Sequence, residues 1–159
     1  MEDKILRRHL RTLLSVREAH VDWASAVKGF PQRLRGIKPK GAPHSAWELL
    51  EHTRIAQWDI VEFCRNPRHV SPKWPEGYWP KHATPGKAAE WNRSVRMLRR
   101  GTAAMVKLVT NSKIDLAAPI PHGSGQTLLR EALLLADHNS YHLGQFVQLR
   151  RLLGSWRET

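Results

Sequence analysis

The chain of 159 residues is long enough for one hydrophobic core, and it carries a formal net charge of +12 with a single cysteine, Cys64. One cysteine excludes an intramolecular disulfide framework and suits a reducing compartment. No apolar run approaches the ~20 residues that span a bilayer, and residues 1–14 are too charged for a secretory signal, so one soluble, cytoplasmic domain over residues 1–159 is expected, with no membrane partner.

The positive charge invites a nucleic-acid reading, but its distribution argues against one. Arg7, Arg8, Arg11 and Arg17 lie near the start, residues 33–40 form a basic loop, and only Arg93, Arg96, Arg100 and Lys107 make a stripe fit to track a backbone. No zinc-finger, RNA-recognition or basic-zipper signature accompanies that stripe. It reads as a solvated face, and tight binding of DNA or RNA is not expected.

Residues 3–28 form the first helical candidate, because Leu6, Leu13, His20 and Val27 recur seven apart with Leu10 and Ala24 between them. Gly29 and Pro31 close it. His20 falls on the apolar stripe, which places it inside as a core histidine or as a neighbour of any site there. The connection over residues 29–44 is rich in Pro, Gly and Lys, with Leu34 and Ile37 to tack it down. The second helix opens at Ser45 with Glu48 three residues later, a capping-box pattern. Leu49, His52, Ile55, Ala56, Asp59 and Phe63 trace one of its faces, and Pro67 forbids extension beyond Arg65. Residues 66–84 hold Pro67, Pro72, Pro75 and Pro80 with Trp74, Tyr78 and Trp79, too many prolines for a helix. That length suits a crossover between parallel neighbours, its aromatics serving as anchors or as a lid. Thr84 and Pro85 make an N-cap and first-turn pair for a third helix reaching about Thr110, weakened but not ended by Gly101. After a Pro- and Gly-rich connection, the fourth helix runs from Thr127 to Leu153 on Leu128, Leu135, Leu149 and Leu152, and Gly154 ends it. The architecture expected is all-α, a four-helix bundle with a long crossover between helices two and three.

The stripe of the fourth helix also carries His138, His142 and Gln145. Two histidines four apart stand about one turn, roughly 5.4 Å, from each other on one face, within reach of a single metal ion. They fit hydrogen-bonded core positions equally well, and a third ligand from another helix would separate the two readings. His52 on the second helix is a third inward histidine. Asp59 lies about two turns beyond it and Cys64 about three, too far along to share its ion easily.

This ordered set resembles the DinB/YfiT-like family, grouped as metalloenzymes. The likeness rests on Trp47-Glu48-Leu49-Leu50-Glu51-His52, on Asp137-His138 followed by His142-Leu143-Gly144-Gln145, on the Pro43-His44-Ser45 entry to helix two, and on the proline- and tryptophan-rich crossover. It implies a four-helix bundle, often a homodimer, in which His52, His138 and His142 bind a divalent metal ion. Seven tryptophans, more than one small core usually needs, are consistent with an interface or with loop anchoring. Some relatives transfer or isomerise groups with a low-molecular-weight thiol such as bacillithiol, mycothiol or glutathione, and many have no assigned activity.

Three neutral imidazoles on Zn²⁺, Ni²⁺, Fe²⁺ or Mn²⁺ leave a coordination position open, the pattern of a catalytic centre. A metal-dependent transferase or hydrolase acting on a small molecule is therefore expected ahead of a metal-stabilised binding protein, with a basic nucleic-acid binder behind both. Asp59, Glu131, Asn139, Tyr141 and Gln145 are the polar candidates for orienting ligands or moving protons, Gln145 being best placed to hold the ring of His142.

Overall fold

A computed structural model describes residues 2–15 and 19–156. Its helices are α1 Glu2–Ser15, α2 Trp23–Val27, α3 Ala46–Arg65, α4 Ala88–Thr110 and α5 Leu128–Leu152, with short 3-10 turns at Gln32–Leu34 and Glu76–Tyr78. No strand occurs among the described residues, only an isolated bridge between Pro119 and Thr127. The all-α helical bundle expected from the apolar periodicity is present, its four long helices joined by a brief α2 between the first and second of them. No helix among the described residues is long and apolar enough to cross a membrane.

Two apolar clusters give the topology. Leu49 and Leu50 near the start of α3 and Trp91 and Leu98 near the start of α4 share one cluster with Leu143, Phe146 and Leu149 from the end of α5. Val61, Met105 and Val109, from the far ends of α3 and α4, share the other with Leu128, Ala132 and Leu135 from the start of α5 and with Leu10 of α1. Helices α3 and α4 therefore run parallel, with α5 antiparallel to both. Parallel neighbours cannot be joined by a tight turn, and residues 66–87 make the crossover.

Caps set the ends. Ser45 and Glu48 form the expected capping box on α3, the Thr127 side chain accepts from the Arg130 amide at the start of α5, and Gly154 ends that helix in the left-handed region at φ 62. The expected start at Thr84 is corrected: α4 begins at Ala88 with Lys87 at the cap position. Ser45 Oγ donates to the Ala83 carbonyl at 2.5 Å, which holds this strand of chain against the start of α3. Glu90, in the first turn, accepts from the amide of Gly86 just ahead of the helix at 2.8 Å.

The first helix differs most from its sequence reading. It is described as far as Ser15, residues 19–22 are not helical, and the chain re-enters helix at Trp23, where the Asp22 side chain accepts from the Ser25 amide at 2.8 Å. Arg17 and the middle of the expected 3–28 helix lie outside the described residues. His20 is exposed, with its Nδ1 donating to the neighbouring Val21 carbonyl, and is not an interior neighbour of the site. Within α1 the buried residues are Leu10 and Arg7, while Leu6 and Leu13 are exposed. Arg7 donates to the carbonyls of Val109, Asn111 and Ile114 at 2.7–2.9 Å, closing the C-terminal end of α4.

Between the two clusters lies a polar belt. Gln57 of α3 is 1% exposed. Its Nε2 donates to the Leu98 carbonyl at 2.6 Å, and its Oε1 accepts from Thr102 Oγ1 at 3.0 Å and Asn139 Nδ2 at 2.7 Å. Gly101 makes this possible, since a Cβ there would stand 2.2 Å from Gln57 Nε2. Glycine is present because α3 approaches too closely for any side chain.

Candidate metal centre

The same belt holds the histidines. His52 comes from α3, His138 and His142 from α5, and one ring nitrogen from each lies within 4.8 Å of the others. Their ring centroids are 4.5–5.1 Å apart. All three residues singled out in the sequence are thus brought to one point.

Hydrogen bonds decide which nitrogen of each ring is free. His52 Nδ1 lies 2.9 Å from the Tyr78 carbonyl. A carbonyl only accepts, so Nδ1 carries the proton and Nε2 keeps its lone pair. His142 Nδ1 likewise donates to Gln145 Oε1 at 2.8 Å, leaving its Nε2 free. Gln145 therefore orients the His142 ring, as expected from its position three residues on. His138 Nε2 faces His52 Nε2 at 3.3 Å, while its buried Nδ1 has no hydrogen-bond partner.

No neutral tautomer of His138 satisfies both its nitrogens. With the proton on Nε2 it donates to His52 and buries a bare Nδ1 lone pair; with the proton on Nδ1, two Nε2 lone pairs confront each other. Protonating the ring is opposed by burial and then by the like charge of His52, which together lower its pKa to about 4. Burial, followed by the neighbouring His138, lowers His142 to about 4 as well. The pKa of His52 is also lowered, again by burial first. Three imidazoles neutral at pH 7 with Nε2 lone pairs converging are the donor set of a divalent ion. Two nitrogens at ~2.0–2.1 Å from one tetrahedral ion stand about 3.3 Å apart, and that matches the His52–His138 separation. The residues fit a metal ion.

The crossover covers this centre. Trp79 lies flat on His52, with centroids 4.0 Å apart and planes 5° apart, and its other neighbour is His44, stacked at 4.1 Å. Tyr78, whose carbonyl fixes His52, is itself fixed, its hydroxyl donating to Asp59 Oδ2 at 2.5 Å. His69 Nε2 binds the other oxygen of Asp59 at 2.7 Å. Asp59 is thus a brace for the crossover, and its oxygens are engaged away from the three histidines. Of the aromatics in this segment Tyr78 and Trp79 are anchors, whereas Trp74 is 66% exposed.

The remaining polar candidates divide. Tyr141 sets its ring against His142 and is largely in solvent, at the outer rim. Asn139 belongs to the belt. Glu131 is buried beside Cys64 in the second cluster, paired with Arg130, and is not at the site. Cys64 packs against the second apolar cluster, and burial followed by Glu131 pushes its thiol up to about 12, so it is neither a ligand nor a nucleophile here. Sequence reasoning passed over Gln57 and the Tyr78 carbonyl, and it named Trp79 and His44 without stacking either beside His52. A tryptophan next to a tyrosine in a proline-rich crossover was the one available signal, and a backbone acceptor leaves none.

The fold and the centre together define a helical-bundle protein in which two antiparallel helices bring three histidines to one interhelical point. Such a set could hold one metal ion. The family model of the DinB superfamily matches residues 16–146, and the chain belongs to that superfamily. Comparisons with curated proteins and with solved structures gave no match.

Proposed function

We propose that His52, His138 and His142 hold one divalent ion, Zn²⁺, Ni²⁺, Fe²⁺ or Mn²⁺, and that the protein is a metal-dependent enzyme of small molecules, either a transferase using a low-molecular-weight thiol or a hydrolase. The observation that carries this reading is a donor set of three and no more: among the described residues no fourth His, Cys, Asp or Glu joins the group. Structural zinc takes four protein ligands, while a three-ligand set leaves a position for a reactant. A divalent ion so held supplies Lewis acidity, by which a water or thiol loses its proton near neutral pH.

The chain's own residues have separable tasks. Burial keeps the three rings neutral and ready to donate. The Tyr78 carbonyl and Gln145 Oε1 fix two of them in the Nδ1–H tautomer and in orientation. Trp79 shields one face of His52 from water. The Tyr78 hydroxyl, pushed up to about 12 by burial and by its bond to Asp59, keeps its proton at neutral pH and serves as a brace.

The test is metal analysis of protein purified without a histidine tag, for the wild type and for His52→Ala, His138→Ala and His142→Ala, with thermal stability measured with and without chelator. Stoichiometric metal lost in all three variants supports the site; metal unchanged in all three excludes it. Thiols are then screened on the Co²⁺-substituted protein for a thiolate charge-transfer band. A closed coordination shell, with no exchangeable water and no thiol band, would assign the metal to stability alone.

A further inference from the structure

Away from the histidines, a groove of about 660 Å³ runs between α3 and α4, within the ~300–1,000 Å³ of small-molecule pockets. Arg93, Arg96 and Arg100 line its α4 side, their spacing of three and four setting them on one helix face. No carboxylate among the described residues pairs with any of the three. Arg54 and Arg65 line the groove too, but each is matched on its own helix, by Glu51 and Glu62. Five arginines against two carboxylates leave three guanidiniums uncompensated inside one concave wall.

That wall is suited to phosphate. Clefts lined by one sign of charge concentrate counter-ions far better than isolated surface residues, and guanidinium takes phosphate oxygens in pairs. The rest of the groove has a different character. Val61, Met97 and Ala104 are apolar, and Trp58 on the α3 side, which meets the His69 ring nearly at right angles at 5.0 Å, is still 39% exposed and leaves aromatic surface for a planar ring. Lys107, about one turn beyond Ala104, is not part of the lining. The groove takes up only the Arg93, Arg96 and Arg100 part of the basic stripe noticed in the sequence, a length suited to a small ligand.

We propose that the groove binds a nucleoside phosphate, with its phosphates on Arg93, Arg96 and Arg100 and its base against Trp58. None of the three histidines lines this groove, so the proposal stands apart from the metal reading.

The experiment titrates ADP into the full-length wild-type protein by calorimetry at physiological salt, beside Arg96→Glu, Arg93→Ala/Arg100→Ala and Trp58→Leu. Pyrophosphate and a short single-stranded oligonucleotide are the comparison ligands. Circular dichroism checks that each variant keeps its helices. ADP should bind at one site, Arg96→Glu should weaken it by at least about tenfold, and Trp58→Leu should weaken ADP several-fold while leaving pyrophosphate unchanged. Failure of ADP to bind at millimolar concentration, or binding that Arg96→Glu leaves intact, would overturn the proposal. Equal binding of ADP and pyrophosphate, insensitive to Trp58→Leu, would overturn it in favour of a bare phosphate site. An oligonucleotide bound more tightly than ADP would overturn it in favour of a polynucleotide surface.

Discussion

Replacing Gly101 by alanine should destabilise the protein, although in most helices the same change does the opposite. Gly→Ala in a helix interior ordinarily gains about 1 kcal/mol. Here the new methyl would lie 2.2 Å from Gln57 Nε2, well inside van der Waals contact. A long side chain could usually swing aside, but Gln57 is 1% exposed and bonded to Leu98, Thr102 and Asn139. Moving it leaves buried donors and acceptors unmet at about 1–3 kcal/mol; not moving it forces α3 and α4 apart, an overpacking cost of about 1–3 kcal/mol. Set against the propensity gain, the net loss reaches about 2 kcal/mol, or roughly 4–8 °C in Tm for a chain of this size. Urea and thermal unfolding of Gly101→Ala measure it directly. A double-mutant cycle isolates the cause, because in a Gln57→Ala background the clash is gone and Gly101→Ala should become neutral or stabilising. A Gly101→Ala protein as stable as the wild type, or a loss of the same size in the Gln57→Ala background, would refute the reasoning.

Gln145→Leu removes the acceptor that holds the His142 ring, and metal affinity should fall by roughly 10- to 100-fold with helix content unchanged; competition with a chromophoric chelator reads this. For the metal-free protein, the depressed His138 and His142 pKa values fix the sign of a pH effect. Between about 6.5 and about 4 the unfolded chain takes up protons that the folded rings refuse, so stability is full above 6.5 and declines as pH falls through that window. Thermal scans from pH 7 to 5, above most carboxylate titration, should show this slope in the wild type and a shallower one in a His138→Asn/His142→Asn variant; equal slopes would contradict it. A homodimer is proposed from family resemblance, and sedimentation at high concentration checks it, a pure monomer removing the idea. The tryptophan surplus gives it limited support, since Trp23, Trp47, Trp91 and Trp156 belong to or pack on the first apolar cluster and Trp79 covers His52, leaving Trp58 and Trp74 outside.

Where a side chain announces its own role, the sequence was sufficient. Ser45 and Glu48 cap α3 and Gly154 ends α5 as their spacing predicts, and the three histidines come together as a group that could hold an ion. The failures have physical causes. Heptad spacing linked Leu6, Leu13, His20 and Val27, but the helix is broken between them, and Asp22 with Ser25 three residues later was the overlooked sign of a new start. Arg7 was counted only among the basic residues near the start, because composition cannot show that a guanidinium is buried against three carbonyls from residues more than a hundred positions away. Gln57 and Gly101 are informative only together, and nothing in either residue alone predicts that they meet.

The polar belt also determines the height at which α5 can sit. Both ends of that helix pack mainly through apolar side chains, whose non-directional burial tolerates sliding by a turn, about 5.4 Å, better than directional bonds do. The middle does not. Such a slip would carry Asn139 away from Gln57 and strand amide groups in an apolar layer, at about 1–3 kcal/mol for each unmet group, and would pull His138 and His142 out of line with His52. The belt thus works as a key cut for one position only. In this protein the groups that bear the candidate chemistry are also the ones that exclude neighbouring alignments of an otherwise permissive core.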